Sequence, residues 1–151
     1  MPKGIRVAVA LAIALIATAG FLYSRNATPL VPQLATGEAV AAGPPWIVKI
    51  HAQWCPVCML TKGTWSEIEQ TYAGRVRLAV FDVTNEDTSA ASRAEAERLG
   101  LGYVFDEASF ATGSILVLDG SSKKIVAWLN GSRDFAEYQA AIDSALATAA
   151  R

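Results

Sequence analysis

A run of β-branched and apolar residues, Trp46-Ile-Val-Lys-Ile-His-Ala52, leads through Gln53-Trp54 directly into Cys55-Pro56-Val57-Cys58. The first part has strand composition. Pro56 falls at the first position of a helix, where a missing N–H costs nothing. Residues Cys55 to Tyr72 then carry helical spacing, with Leu60, Trp65, Ile68 and Tyr72 expected on one face and Gly74 as a stop. A strand must therefore end, and a helix begin, at a pair of thiols. Three residues apart, Cys55 and Cys58 share one helical turn and are close enough to close a disulfide.

The rest of the chain fits around that unit. Arg75 to Val83 alternates and reads as a second strand; Ser89 to Leu99 reads as a helix ended by Gly100; Ser114 to Asp119 reads as a third strand. Gly120 to Lys123 is a turn, Lys124 to Leu129 a fourth strand hairpinned to the third, and Ser132 or Asp134 caps a last helix to about Ala149. Gly100 to Thr112 reads as a long link made aromatic by Tyr103, Phe105 and Phe110. The order β-α-β-α-β-β-α predicts an α/β fold, a central mixed sheet flanked by helices. At 151 residues there is room for one ordinary domain.

The N-terminus stands apart. Lys3 and Arg6 precede an uninterrupted apolar run over residues 7–23, the layout of an export signal or of a short membrane anchor. Ala17-Thr18-Ala19 offers a cleavage site after Ala19; the uncleaved anchor helix is the preferred reading. Residues 1–25 are thus assigned to a signal peptide or anchor, 26–43 to a linker with a short leading helix from Leu34 to Ala42, and 44–151 to the folded domain. Either reading exports the domain, giving an inner-membrane-anchored or periplasmic protein in an oxidising compartment.

Thirteen basic and 14 acidic residues give a net charge of −1, which argues against nucleic-acid binding. One histidine and two cysteines exclude a multi-histidine or four-cysteine metal centre supplied by this chain. The cysteine pair leaves thiol redox chemistry or a soft-metal half-site, and its place between a strand and a helix favours the first. Cys55 at a helix start is where N–H groups favour an anion, and the thiolate is the attacking species. Cys58, one turn inward, is expected to be better shielded. Cys55 then forms a mixed disulfide and Cys58 resolves it.

On the strand Trp46–Ala52, the run Ala52-Gln53-Trp54-Cys55-Pro56-Val57-Cys58, the strand Leu78–Val83 with Asp82 near its end and the closing β-β-α, residues 44–151 resemble the thioredoxin family. The surroundings are most similar to membrane-associated thioredoxin-like domains that pass electrons to exported proteins. The resemblance implies Cys55 as an exposed nucleophile, Cys58 as resolving thiol, no cofactor beyond the Cys55–Cys58 disulfide, and exported protein thiols or disulfides and a membrane electron-transfer partner as partners. Three departures stand out. Gly113, in Ala111-Thr112-Gly113-Ser114, occupies the place of the family's cis-proline, and a freer, more open loop is expected there. Lys49 stands where the family often has a buried acid; near the pair it favours the thiolate, and if buried its own pKa should fall. The Gly100–Thr112 link is longer than usual.

Around the motif, Trp54 is expected to shape the surface beside Cys55, while Trp46, Trp65 and Trp128 pack. His51 is read as a packed strand-end residue, Met59 as core filler, Lys49 as snorkelling to solvent, and Asp82 to Asp87 as a solvated link. The reading is an exported thiol–disulfide oxidoreductase, leaning to reductase. A rival is a soft-metal module delivering Cu(I) or Zn through Cys55, Cys58 and either His51 or Met59. A third is a redox-inert adaptor binding through Tyr103–Phe110.

Overall fold

The computed structural model describes residues 43–151. The signal or anchor assigned to residues 1–25, and all but the last residue of the 26–43 linker, lie outside the described residues. Among the described residues no helix is long and apolar enough to cross a membrane.

Four strands and five helices follow in the order β1 (Trp46–His51), α1 (Pro56–Leu60), α2 (Lys62–Thr71), β2 (Arg77–Asp82), α3 (Glu86–Arg98), α4 (Gly102–Ala108), β3 (Ser114–Leu118), β4 (Ile125–Asn130) and α5 (Phe135–Ala149). They form one sheet in the order β2-β1-β3-β4, with β1 parallel to β2 and the other pairs antiparallel. The two central strands, β1 and β3, are buried along nearly their whole length, whereas β4 alternates between half-buried and exposed. Central strands covered on both faces read as continuous apolar runs; edge strands alternate.

Successive residues of β1 and β3 feed two separate cores. Val48, Ile50, Leu116 and Leu118 pack with Ala96 of α3 and Val104, Phe105 and Ala108 of α4. Ile47, Ile115 and Val117 pack on the other face with Trp65 and Ile68 of α2 and Tyr138 and Ile142 of α5. Tyr72 ties the second layer together, donating from its hydroxyl to Asp143 Oδ1 at 2.9 Å. The result is the expected mixed sheet between helical layers.

The departures from expectation are local. The helix expected over Cys55–Tyr72 breaks into α1 and α2 at Thr61, whose ψ opens to 6° and whose hydroxyl donates back to the Val57 carbonyl at 2.9 Å; such back-bonding bends helices. Leu60, expected on the buried face, is exposed just before the bend. Helix α3 begins three residues early because Asn85 and Thr88 form a reciprocal capping box, placing Glu86 and Asp87 in its first turn. The acidic run is therefore a strand end and a helix start, where carboxylates are favoured. The expected link Gly100–Thr112 contains α4, since Val104, Phe105 and Ala108 make a short buried stripe behind Gly102. Phe105 meets Phe81 edge-on at 5.8 Å. Trp128, expected to pack in the core, lies partly exposed on edge strand β4, with its indole N–H donating to Ser114 Oγ at 2.8 Å.

Because Leu116 is fully buried in the central strand, Leu116→Ala should cost about 2–5 kcal/mol. The measurement is urea unfolding of the full chain; a loss below about 1 kcal/mol would contradict the packing described.

Candidate active site

Strand β1 ends at His51, and the chain turns through Ala52, with the Cys55 N–H donating to the Ala52 carbonyl at 3.2 Å. Cys55 is the N-cap of α1 in an extended conformation, and its sulfur accepts from the backbone N–H of Cys58 at 3.2 Å. A thiolate there takes the role a cap oxygen plays elsewhere. The Cys58 thiol donates towards the Ile50 carbonyl at 3.7 Å. Both cysteines are free thiols, and both residues are 2% exposed. The expectation of an exposed Cys55 is thus corrected. The loop before β3 closes over Cys55.

That loop is held by Gly113, whose N–H donates to Ile50 O at 2.9 Å. Its φ is +89°, a region that L side chains rarely adopt, and a Cβ there would lie 2.5 Å from Val57 Cγ1 and 3.7 Å from Cys55 Sγ. The described peptide bonds are all trans. The open loop expected from glycine is therefore not found. Lacking a side chain, Gly113 lets the backbone come down against Val57.

The two thiols are driven apart electrostatically. Burial alone would raise the Cys55 thiol, but hydrogen bonds from the Cys58 and Thr112 side chains and the backbone N–H groups of Cys58 and Val57 outweigh it and hold Cys55 below the ordinary thiol value. Burial pushes the Cys58 thiol up, its bond to Cys55 adds to this, and Lys49 opposes it.

Lys49 does not snorkel. It is 6% exposed, with its ammonium 5.3 Å from the centre of the Trp65 ring. Burial lowers its pKa, as expected for a buried lysine, while Cys58, Glu69 and Cys55 pull it back up. His51 is half-buried, and its Nδ1 is buried without a hydrogen-bond partner. Met59, expected in the core, is 64% exposed, because α1 rides at the end of the sheet with only Cys58 buried. Trp54 is exposed as expected, and its indole N–H donates to the Thr84 carbonyl at 2.9 Å.

Thr84 was missed by the sequence reading. Its Oγ1 also accepts the Gln53 N–H at 2.9 Å, and its own N–H donates to Asp82 Oδ1 at 2.8 Å. The turn before the motif is thereby pinned to the end of β2. The one sequence signal was Asp82 two residues before Thr84, the spacing of an Asx turn.

The structure thus brings Cys55, Cys58, Pro56, Val57, Thr112, Gly113 and Lys49 together. Among the described residues, no group of three or more His, Cys, Asp or Glu side chains is placed to hold a metal ion. The aromatic link of the adaptor reading is divided: Phe105 is core, whereas Tyr103 and Phe110 remain exposed.

Residues 35–97 match the family model described as Thioredoxin. No curated protein matches the chain. Similar solved structures include a thiol:disulfide interchange protein of the thioredoxin family from Chlorobium tepidum TLS, with 19% identity, 70% of this chain and 82% of that chain covered, and a TM-score of 0.47. Another comes from work on thiol resolution in the yeast mitochondrial 1-Cys peroxiredoxin via glutathione and thioredoxin systems, with 15% identity, coverage of 68% and 79%, and a TM-score of 0.43. A third, Trxlp from Edwardsiella tarda EIB202, has 20% identity, coverage of 66% and 82%, and a TM-score of 0.39.

Two outcomes test the site. In the reduced chain, alkylation of Cys55 by iodoacetamide should rise with pH through a value below that of an ordinary thiol, and alkylation of Cys58 only above it. Peptide mass spectrometry across pH separates the two; a single common midpoint would contradict the asymmetry. Gly113→Ala should destabilise the chain by about 1–3 kcal/mol through the forced positive φ, plus an overlap with Val57. In a Val57→Ala background the overlap, and with it part of the cost, should disappear; equal costs in both backgrounds would refute the contact.

Proposed function

We propose that this chain is a thioredoxin-family thiol–disulfide oxidoreductase that reduces disulfides of exported proteins, with Cys55 as nucleophile and Cys58 as resolving thiol; the match of residues 35–97 to the thioredoxin family model supports the reading. The observation that carries this reading is the placement of the Cys55 sulfur as the N-cap of α1, accepting the Cys58 N–H at 3.2 Å, with Cys58 inside the turn. The sulfur that caps α1 is the one stabilised as a thiolate.

The chemistry follows from that difference. The Cys55 thiolate attacks one sulfur of a partner disulfide; the partner's S–S bond breaks, and its other half leaves as a thiolate and takes up a proton. Cys58 then loses its proton and attacks the Cys55 sulfur. The Cys55–Cys58 bond forms, the second partner thiolate leaves, and the partner is reduced by two electrons. Lys49 assists the second step: an ammonium beside Cys58 offsets the desolvation of its thiolate. Thr112 and the Cys58 N–H serve the first step by holding the Cys55 thiolate.

A reductase of exported proteins consumes electrons in an oxidising compartment, so the pair must be re-reduced by a dithiol donor at the membrane. Residues 1–25 support that setting by their charge and hydropathy pattern, which suits an anchor with the domain on the exported side.

Cys55→Ser should abolish reduction of a disulfide-bonded test protein driven by dithiothreitol, and Cys58→Ser should accumulate a mixed disulfide through Cys55, seen as an adduct by mass spectrometry. Equilibration of the wild-type pair in glutathione buffers should place it near the reductase end, about −270 mV; a value near −120 mV would make the protein a disulfide donor instead.

A further inference from the structure

A cavity of about 410 Å³ opens behind the thiol pair, between β1, α1, α2 and the edge strand β2, and the cysteine on its wall is Cys58, not Cys55. That size is in the range of small-molecule sites. Its charge is lopsided. Lys49 lines it from within, almost fully buried; Lys62 lines it from an exposed position; His51 contributes an Nδ1 that has no partner. Against these stands one carboxylate, Glu69, whose Oε1 already accepts the Trp65 indole N–H at 2.7 Å. Across the strand pair, His51 sits in register with Asp82, whose carboxylate is occupied by the Thr84 N–H. Among the described residues Lys49 forms no ion pair. Trp65, Met59 and Val80 supply apolar wall.

We propose that this cavity is a second entrance to the redox pair, which admits small carboxylate-bearing disulfides and thiols directly to Cys58. The two lysines recognise the carboxylate and the apolar wall carries the body of the molecule. The Cys58 thiolate attacks one sulfur of the small disulfide; that S–S bond breaks and one half leaves as a thiolate. The Cys55 thiolate then attacks the Cys58 sulfur, the Cys55–Cys58 disulfide forms, and the second half leaves. The small disulfide gains two electrons, the pair loses two, and the protons given up by the two thiols pass through solvent to the leaving thiolates. The reverse sequence lets a small anionic thiol reduce the oxidised pair. Protein disulfides, too large for the cavity, are left to the Cys55 side. The inference rests on the redox reading above, but it fails separately: Cys55-dependent reduction of a protein disulfide by the unsubstituted chain does not require this entrance.

The test uses the full chain carrying Cys55→Ser, so that Cys58 is the one reacting thiol, with Cys55→Ala as a second background. Rates are measured with two probes, the dicarboxylate dithiobis-nitrobenzoate and the neutral dithiodipyridine. Their ratio at one pH cancels the fraction of Cys58 present as thiolate. In the native chain the anionic-to-neutral ratio should exceed that of the same variant unfolded in urea by about tenfold, the scale of electrostatic enrichment in a charged cleft. Adding Lys62→Glu, at an exposed position, should return the ratio towards the unfolded value. A native ratio at or below the unfolded one, a ratio unmoved by Lys62→Glu, or a Cys58 inert to both probes in the native chain would each overturn the proposal.

Discussion

The carbonyl of Ile50 lies one residue beyond the point where β1 stops pairing with β3, so the sheet ladder leaves it without that partner. A fully buried strand residue cannot leave its acceptor to water, and a buried carbonyl without a partner is costly. The structure fills it twice, with the Gly113 N–H at 2.9 Å and the Cys58 thiol at 3.7 Å. One acceptor thus fixes both the loop that covers Cys55 and the thiol of Cys58. When Cys58 gives up its hydrogen to form a disulfide, the Gly113 bond remains, so the carbonyl is satisfied in both redox states. The geometry of the loop need not change when the chemistry does.

Unequal acidity of two thiols that are both closed off from solvent is the second consequence of the turn. Desolvation raises both thiols, so accessibility cannot tell them apart. What separates them is direction. Cys55, ahead of the first helical turn, receives hydrogen bonds from N–H groups with no intrahelical partner. Cys58, inside the turn, receives no such set. Lys49 enters from the sheet side of the pair. Its neighbours in β1, Val48 and Ile50, point into the core shared with α3 and α4, while Lys49 meets Trp65 of α2. The alternation of one strand therefore decides that the buried charge lies beside Cys58 rather than among Phe81 and Phe105. A buried cation without a carboxylate partner is expensive. Packing on an indole face and the approach of two potential thiolates offset part of that cost.

Much of this was legible in the residues. The strand-to-helix turn at Cys55, the parallel β1–β2 pair and the closing hairpin follow from β-branched runs, Pro56 and the spacing of turn residues. The readings that failed share a cause: each assigned a side chain from its type where tertiary context decided. Met59 and Leu60 are apolar, but they occupy a five-residue helix at the rim of the sheet, where only Cys58 turns inward. Lys49 is charged, but it sits mid-strand, paired with Val80 of β2 and Ile115 of β3, and its side chain turns onto Trp65. Helix α4 was hidden by Gly102 and by a pattern too short for periodicity to register. Thr84, in contrast, had a local signature in its spacing from Asp82. The two partners it gains in the preceding turn are about thirty residues away in sequence, and such contacts leave no periodic trace.

Val57, the second of the two residues between the cysteines, is constrained by parts of the chain far from it. Val57 Cγ1 lies 2.5 Å from where a Cβ at position 113 would be and 3.3 Å from one at position 131, and both glycines have positive φ. Two backbone segments, one entering β3 and one leaving β4, therefore form a slot that a β-branched side chain occupies. A smaller residue at 57 would leave the slot partly empty and free the loop over Cys55 to move. A side chain at 113 would push that loop off the sulfur and weaken the Thr112 contact that helps hold its thiolate. The dipeptide Pro56-Val57 and the glycines at 113 and 131 thus act as one unit. Proline sets where the helix begins, valine sets how closely the covering loop can approach, and the glycines make that approach possible without distorting the strand ends.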